Sequence, residues 1–233
     1  MEIIVDLCNQ HHGDIKELKR MALSAFTAGA DVVKVQLMDS EKFFGNKDRK
    51  YRDISYDDLH EISSFCDFIG VEFKASVFDE ERLEWLEGTY IKRHKIASRT
   101  AAKDPELCKK ILAKGLPTII STGMLPDGEF PYGFDNIQYL FCVSKYPTFL
   151  HDEQLRKMPK DFTNSNFAGY SDHTIGIAAA VEAHGRGARI LEKHFSNNIF
   201  AQSKFEGAHL CSFNGETLKQ FKDLTKELEI LRK

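Results

Sequence analysis

The chain has 233 residues, 42% hydrophobic and 29% charged, with a formal net charge of -3. That suffices for one globular domain with a substantial core, and the near-neutral charge gives nucleic acid no footing as a partner. Every apolar run is broken by Asp, Glu, Lys or His before spanning length, so no membrane partner is expected. The start of the chain, Met1 to Asp6, leads directly into a strand-like run without a basic region and a hydrophobic one ahead of it. Five scattered cysteines without a Cys-x-x-Cys pair read as reduced thiols in the cytoplasm.

In chain order, a strand is predicted over residues 3–8 and a helix over 15–28, closed by Gly29. A strand over 31–37 follows, then a helix over 56–69 ended by Gly70, and a strand over 71–76. A short helix over 80–87 leads to a strand over 90–98. Asp104-Pro105 supplies an N-cap acceptor and a first-turn proline for a helix that runs to about residue 114, where Gly115 stops it. Strands are predicted over 117–122, 137–144 and 166–171, a helix over 174–184, a strand over 189–195, and a closing helix over 216–231. Strands alternating with helices argue for a parallel sheet covered by helices. Eight repeats favour one closed (β/α)8 TIM barrel over residues 1–233 rather than an open doubly wound sheet. No GxGxxG or P-loop lysine motif speaks for the open sheet. Residues 123–133, rich in Gly and Pro, cannot hold a regular helix. The fifth helix is therefore expected to be missing, leaving that side open or covered by a partner.

In such a barrel the chemistry gathers at the C-terminal ends of the strands. Those ends carry Asp6, Lys34, Gln36, Ser76, Lys95, Ser98, Ser121, Ser144, Ser171, His173, Glu192 and His194. Period-two alternation puts Lys34 with Gln36 on one face and Glu192 with His194 on another. A lysine within a run of valines needs a counter-charge. A structural ion pair of Lys34 with Glu192 or Asp6 therefore stands level with an anion-binding role. His173 alone reads as a hydrogen-bonded loop residue, His194 alone as a satisfied core residue, and each serine alone as a turn or cap. Their coincidence at one rim is the informative point. Two lysines with several hydroxyls suit a phosphate and a carboxylate, and two histidines from neighbouring strands suit a divalent metal with open positions.

Several segments, in order along nearly the whole chain, are similar to those of the sialic acid synthase (N-acetylneuraminate synthase) family. They are Gln10-His11-His12-Gly13-Asp14, Ala28-Gly29-Ala30-Asp31-Val32-Val33-Lys34-Val35-Gln36, His94-Lys95-Ile96-Ala97-Ser98 and Ile120-Ser121-Thr122-Gly123-Met124. Cys142-Val143-Ser144-Lys145-Tyr146-Pro147-Thr148, Gly169-Tyr170-Ser171-Asp172-His173-Thr174 and Leu191-Glu192-Lys193-His194-Phe195 continue the match. The resemblance implies a TIM-barrel catalytic domain. It would condense phosphoenolpyruvate with an aldehyde sugar similar to N-acetylmannosamine, giving a nonulosonic acid and phosphate. By position, Lys34, Lys95, Ser98, Ser121 and Ser171 would hold the phosphate and carboxylate of phosphoenolpyruvate, and Ser76 stands where the family has a phosphate-binding threonine. Gln36 and Ser144 join the substrate-binding set. His173 and His194 would hold a metal, manganese by resemblance, with magnesium or cobalt as alternatives. Asp6, Lys34, Lys95 and His173 form the expected catalytic set.

Departures from the family pattern are also visible. Asp6 stands for a glutamate, Thr100 for the acid of a Ser-Gly-Glu segment, and Glu206-Gly207-Ala208 lacks the aspartate of Gly-Pro-Asp. The C-terminal antifreeze-like domain of the family, with its substrate-reaching arginine, is expected to be missing. The donor half thus looks better preserved than the sugar half, which points to another acceptor, a homo-oligomer or partner chain completing the site, or lost activity. Two alternatives stand beside the synthase: a Schiff-base aldolase using Lys95, and a non-catalytic binding protein of the same descent. Lys34→Ala or Lys95→Ala is expected to abolish phosphoenolpyruvate binding and leave the fold intact.

Overall fold

Short runs rich in Val, Ile and Phe, buried on both faces, form eight parallel strands in the computed structural model, which describes residues 1–200 and 208–231. They are β1 (Glu2–Cys8), β2 (Val32–Leu37), β3 (Glu72–Val77), β4 (His94–Ile96), β5 (Thr118–Ser121), β6 (Ile137–Cys142), β7 (Phe167–Asp172) and β8 (Ile190–His194). Their order in the sheet is β3-β2-β1-β8-β7-β6-β5-β4. This is the predicted (β/α)8 barrel. Among the described residues no backbone ladder joins β3 to β4. Side chains span that seam: the Arg93 guanidinium, just ahead of β4, donates to Glu72 at 3.0 and 2.9 Å and to Glu2 at 3.0 Å.

The helices are α1 (Ile15–Thr27), α2 (Ser40–Phe44), α3 (Tyr56–Ile69), α4 (Glu80–Glu84), α5 (Ser98–Lys103), α6 (Pro105–Ala113), α7 (Ala178–Gly185) and α8 (Gly215–Leu231). Local chemistry sets their ends. The side chains of Asp14, Ser55 and Asp104 accept from the first turns of α1, α3 and α6, and Pro105 opens α6 without an amide to leave unpaired. Gly70 ends α3 at φ +82°, a left-handed turn that a Cβ would strain. Leu18 and Met21, Leu59 and Ile62, Leu107 and Ile111, and Leu218 and Phe221 turn inward from four of these helices onto the strands. Each such side chain contributes about 1.5–3 kcal/mol by leaving water.

Inside the barrel, Ile4, Val32, Ile119, Leu140, Ala168 and Ile190 form a separate apolar cluster. One pleat further along β1, β2, β5 and β8 stand Asp6, Lys34, Ser121 and Glu192. A dry plug therefore lies beneath a polar layer.

The structure corrects several sequence expectations. No helix lies between β5 and β6, as predicted, but that side is covered by the chain's own loop. Phe130 packs edge-on against Tyr139 at 4.8 Å and Phe167 at 5.4 Å between ring centroids, and Tyr132 Oη donates to Ala101 O at 2.7 Å. The sixth repeat also lacks an α-helix and carries only a 3-10 turn at Leu155–Lys157. Helices α2 and α5 were not anticipated. The strand predicted over 90–98 shrinks to three residues, because Ser98 already opens α5. Helix α7 starts at residue 178 rather than 174. The Asp172 carboxylate holds Thr174 N at 2.7 Å and Thr174 Oγ1 at 2.8 Å in a turn, and Gly176 is left-handed. Among the described residues no helix is long and apolar enough to cross a membrane.

Candidate active site

Parallel pairing sets Asp6 beside Lys34 on one side and His194 on the other, and Ser171 beside Glu192. Lys34, 2% exposed, meets Asp6 at 2.7 Å, Glu192 at 3.6 Å and Ser76 Oγ at 3.4 Å. Lys95 donates to Ser121 Oγ at 2.8 Å and Ile96 O at 3.0 Å, and lies 3.5 Å from Glu192. Ser171 Oγ donates to Glu192 Oε1 at 3.3 Å, and Gln36 Nε2 to Asp6 Oδ2 at 2.9 Å. Both counter-ions anticipated for Lys34 are thus present together.

Burial alone would raise the Asp6 pKa, but Lys34, His194 and Gln36 hold it far below the usual carboxylate range. Lys34 is desolvated too, yet Asp6 and Glu192 keep it firmly charged. Burial outweighs Glu192 at Lys95, whose pKa is lowered. Desolvation works against the Glu192 carboxylate, but Lys34 and Lys95 prevail and lower its pKa.

Ser98 and Ser144 belong to a neighbouring cluster around Cys142 rather than to the lysines. Ser98 Oγ accepts from Gly123 N at 3.0 Å and lies 3.6 Å from Cys142 Sγ; Ser144 Oγ is 3.9 Å from that sulfur. A Cβ on Gly123 would come within 2.5 Å of Ser144 Oγ, so only glycine fits there. His173 Nδ1 is 2.7 Å from Val143 O and 3.8 Å from Cys142 Sγ. A carbonyl only accepts, so Nδ1 carries the proton and Nε2 presents its lone pair whenever the ring is neutral.

The His194 ring lies 5.3 Å from that of His173, and its Nδ1 is 3.7 Å from Asp6 Oδ2. Both ring nitrogens of His194 are buried without a hydrogen-bond partner, and burial lowers its pKa to about 4, so the ring is neutral. No group of three or more His, Cys, Asp or Glu able to hold a metal occurs among the described residues. The two imidazoles alone would leave most positions of a bound metal to other ligands. Behind them, on the outer face, Lys193 meets Asp172 at 2.7 Å with both side chains fully buried. This clip joins β7 to β8 one residue ahead of each histidine.

Sequence reasoning missed Cys142, whose thiol pKa falls to about 7 because His173 and nearby hydroxyls outweigh its burial. Strand parity gave the signal, since Cys142 shares a face with Leu140 of the inner plug. It also missed Tyr146, 4.2 Å from the His173 ring and 5.7 Å from that of His194. A cavity of about 370 Å³ opens above His194 and Gln36, walled by Phe43, Phe44, Phe78 and Met124. Thr100, set against a family glutamate, is 4% exposed in α5, and its hydroxyl has no hydrogen-bond partner. Glu206 and Gly207 lie outside the described residues.

The sequence profile of the NeuB family matches residues 21–232. The chain belongs to the NeuB family. It is 28% identical to the N,N'-diacetyllegionaminic acid synthase of Legionella pneumophila, over 97% of this chain and 72% of that enzyme. It is 31% identical to the N-acetylneuraminate-9-phosphate synthase of Mus musculus, over 83% of this chain and 61% of that enzyme. The N-acetylneuraminic acid synthetase of Leptospira borgpetersenii, crystallised with citrate, superposes with a TM-score of 0.87 at 27% identity, covering 98% of this NeuB chain and 84% of that one.

Proposed function

We propose that this NeuB-family chain is a phosphoenolpyruvate-dependent synthase. It would condense phosphoenolpyruvate with an aldehyde sugar to a nonulosonic acid and release phosphate. The observation that carries the reading is the pair of buried lysines, Lys34 and Lys95. They flank Glu192 at 3.6 and 3.5 Å, with the hydroxyls of Ser76, Ser121 and Ser171 on the same polar layer. Two cations and three hydroxyls above a dry plug suit a ligand bearing both a phosphate and a carboxylate. The named relatives, synthases of sialic-type acids, support the same chemistry.

In this reading C3 of phosphoenolpyruvate bonds to the aldehyde carbon, water adds at C2, and the C–O bond to phosphate breaks. Lys34 and Lys95 hold the donor and stabilise the charge that develops on it. Asp6 and Glu192 are the carboxylates placed to take the proton of the water adding at C2. His173 and His194 would hold a divalent metal, manganese by family resemblance, which when bound supplies Lewis-acid polarisation of the aldehyde. No disulfide joins the five cysteines, which suits a reducing compartment such as the cytoplasm.

Calorimetric titration with phosphoenolpyruvate, with and without manganese, tests the assignment. Tight metal-assisted binding, followed by phosphate release on adding an aldose, is the expected result. Absence of binding under both conditions removes the synthase reading for the isolated chain, leaving a partner-completed enzyme or a non-catalytic binding protein.

A further inference from the structure

A second cavity, of about 280 Å³, lies on the outer face of the barrel near the start of β4, where α4 and α6 flank the β3–β4 seam. Leu83, Leu86, Ile91 and Leu116 make its walls apolar, and His94 borders it from the first position of β4. The imidazole is 3% exposed, and its Nε2 is buried with no hydrogen-bond partner among the described residues. Such an unpaired polar atom bears its full desolvation cost. Burial also lowers the His94 pKa to about 4, so the ring is neutral. Lys114 pairs with Glu87 at 2.7 Å, so the two charged side chains that line the cavity offset each other. The strand behind this wall is loosely held. Among the described residues β4 is three residues long and forms its ladder with β5 alone. His94 turns outward, and the next residue, Lys95, turns inward to Ser121 Oγ at 2.8 Å. What steadies His94 therefore helps to hold Lys95.

We propose that this cavity is an effector site for a small apolar molecule carrying one hydroxyl group, an alcohol or a phenol, which binds at His94 and steadies β4. A hydroxyl both donates and accepts, so it pairs with an imidazole nitrogen in either tautomer. A carboxylate would have to share Lys114 with Glu87, and an ammonium group would meet Lys114 beside a neutral ring. About 150 Å³ suffices for benzene, so the cavity has room for a substituted ring. The site stands without the synthase reading; only its influence on phosphoenolpyruvate, through Lys95, rests on that reading.

The test titrates the full chain with phenol, toluene and benzoate while the imidazole NMR signals of His94 are followed. Phenol is expected to bind with a dissociation constant of about 1 mM and to move those signals, and benzoate to bind more weakly. In His94→Leu the ratio of phenol to toluene affinity should fall about threefold to tenfold. Leu116→Trp, at a partly buried wall position, should abolish phenol binding with His94 in place, which keeps the test open if His94→Leu does not fold. At about ten times its dissociation constant, phenol should slow amide exchange in β4 about tenfold relative to β7. Phosphoenolpyruvate affinity should change severalfold with phenol bound, and phenol affinity by the same factor with phosphoenolpyruvate bound. No shift of the His94 signals up to about 10 mM phenol, a ratio unchanged in His94→Leu, or tighter binding of benzoate overturns the site. Unaltered exchange in β4, or a phosphoenolpyruvate affinity that phenol leaves unchanged, overturns the effector role. Failure of phosphoenolpyruvate to bind at all rejects the synthase reading alone, since phenol binding and β4 exchange are read without it.

Discussion

Replacing Lys34 by Met tests how the donor layer is held together. The substitution leaves Asp6 (3% exposed) and Glu192 (6% exposed) facing each other's field without their shared cation. Breaking a buried pair by removing one partner costs about 3–5 kcal/mol. Typical stabilities are about 5–15 kcal/mol, so the variant should still fold. At about 2–4 °C per kcal/mol for a domain of this size, its Tm should fall by roughly 6–20 °C. Asp6 keeps the donors Gln36 Nε2 and Cys8 N, both at 2.9 Å, which limits the loss. Asp6→Asn in the same background removes the stranded charge, so the double variant should recover at least about 2 kcal/mol relative to additivity. The folded-state pKa of Asp6 is depressed. The stabilisation is therefore present above the unfolded carboxylate value and fades as pH falls through the folded one. Urea unfolding of the four proteins at pH 7, with comparable m values, measures the cycle. A loss below about 1 kcal/mol in Lys34→Met, or strict additivity, would refute the reasoning. Lys34→Ala is expected to lower stability as well as binding, so Lys95, paired only at 3.5 Å, is the cleaner probe of phosphoenolpyruvate binding.

Three further outcomes are expected. Arg93→Met removes the only side-chain fork seen across the unpaired β3–β4 seam among the described residues. It should lower stability by about 2 kcal/mol and speed amide exchange in β3 and β4; unchanged exchange in both strands would mean that packing alone holds the seam. His94 is buried, and its pKa is lowered from 6.5 to about 4. The unfolded chain therefore takes up a proton that the folded chain refuses, and stability falls as pH drops from about 6.5 to about 4, by roughly 2–3 kcal/mol at this site. His94→Gln should flatten that part of the profile, and an unaltered slope in urea unfolding would reject the assignment. Finally, borohydride with pyruvate should leave no adduct on Lys95 in a mass spectrum; an adduct there would replace the synthase by a Schiff-base aldolase.

Much of the barrel was legible because parallel strands buried on both faces leave dense apolar runs, and because Asp104-Pro105 and Gly70 mark helix ends by local chemistry. Strand parity put Lys34 with Gln36 on one face, where they alternate with valines and a leucine, and Glu192 with His194 on one face, on either side of Lys193. What escaped depends on contacts far apart in sequence. Phe130 gives no local sign that it will cover the fifth repeat until Tyr139 and Phe167 lie beside it. The division of the serines into a lysine group and a Cys142 group follows from strand geometry that spacing does not encode. Helix α2, which brings Phe43 and Phe44 to the mouth, is only five residues long, too short for a helical period to be visible.

The charge balance of the donor layer leads to one more measurable consequence. Lys34 and Lys95 face Asp6 and Glu192, so the polar layer is near neutrality before any ligand enters. Phosphoenolpyruvate brings a carboxylate and a phosphate, roughly two and a half to three negative charges at pH 7. Placing that charge against Glu192 reverses the influences that now lower its pKa, because its lysines must be shared with the ligand. Protonating Glu192 restores the balance, so binding without metal should take up about one proton, and affinity should fall as pH rises. With manganese at His173 and His194 the added positive charge should suppress that uptake. Calorimetry in two buffers of different ionisation enthalpy counts the protons directly. Uptake near one without metal and near zero with it would locate the anion between the two lysines. No uptake in either case would mean that phosphoenolpyruvate does not displace Glu192 from Lys34 and Lys95, and the donor would have to bind elsewhere.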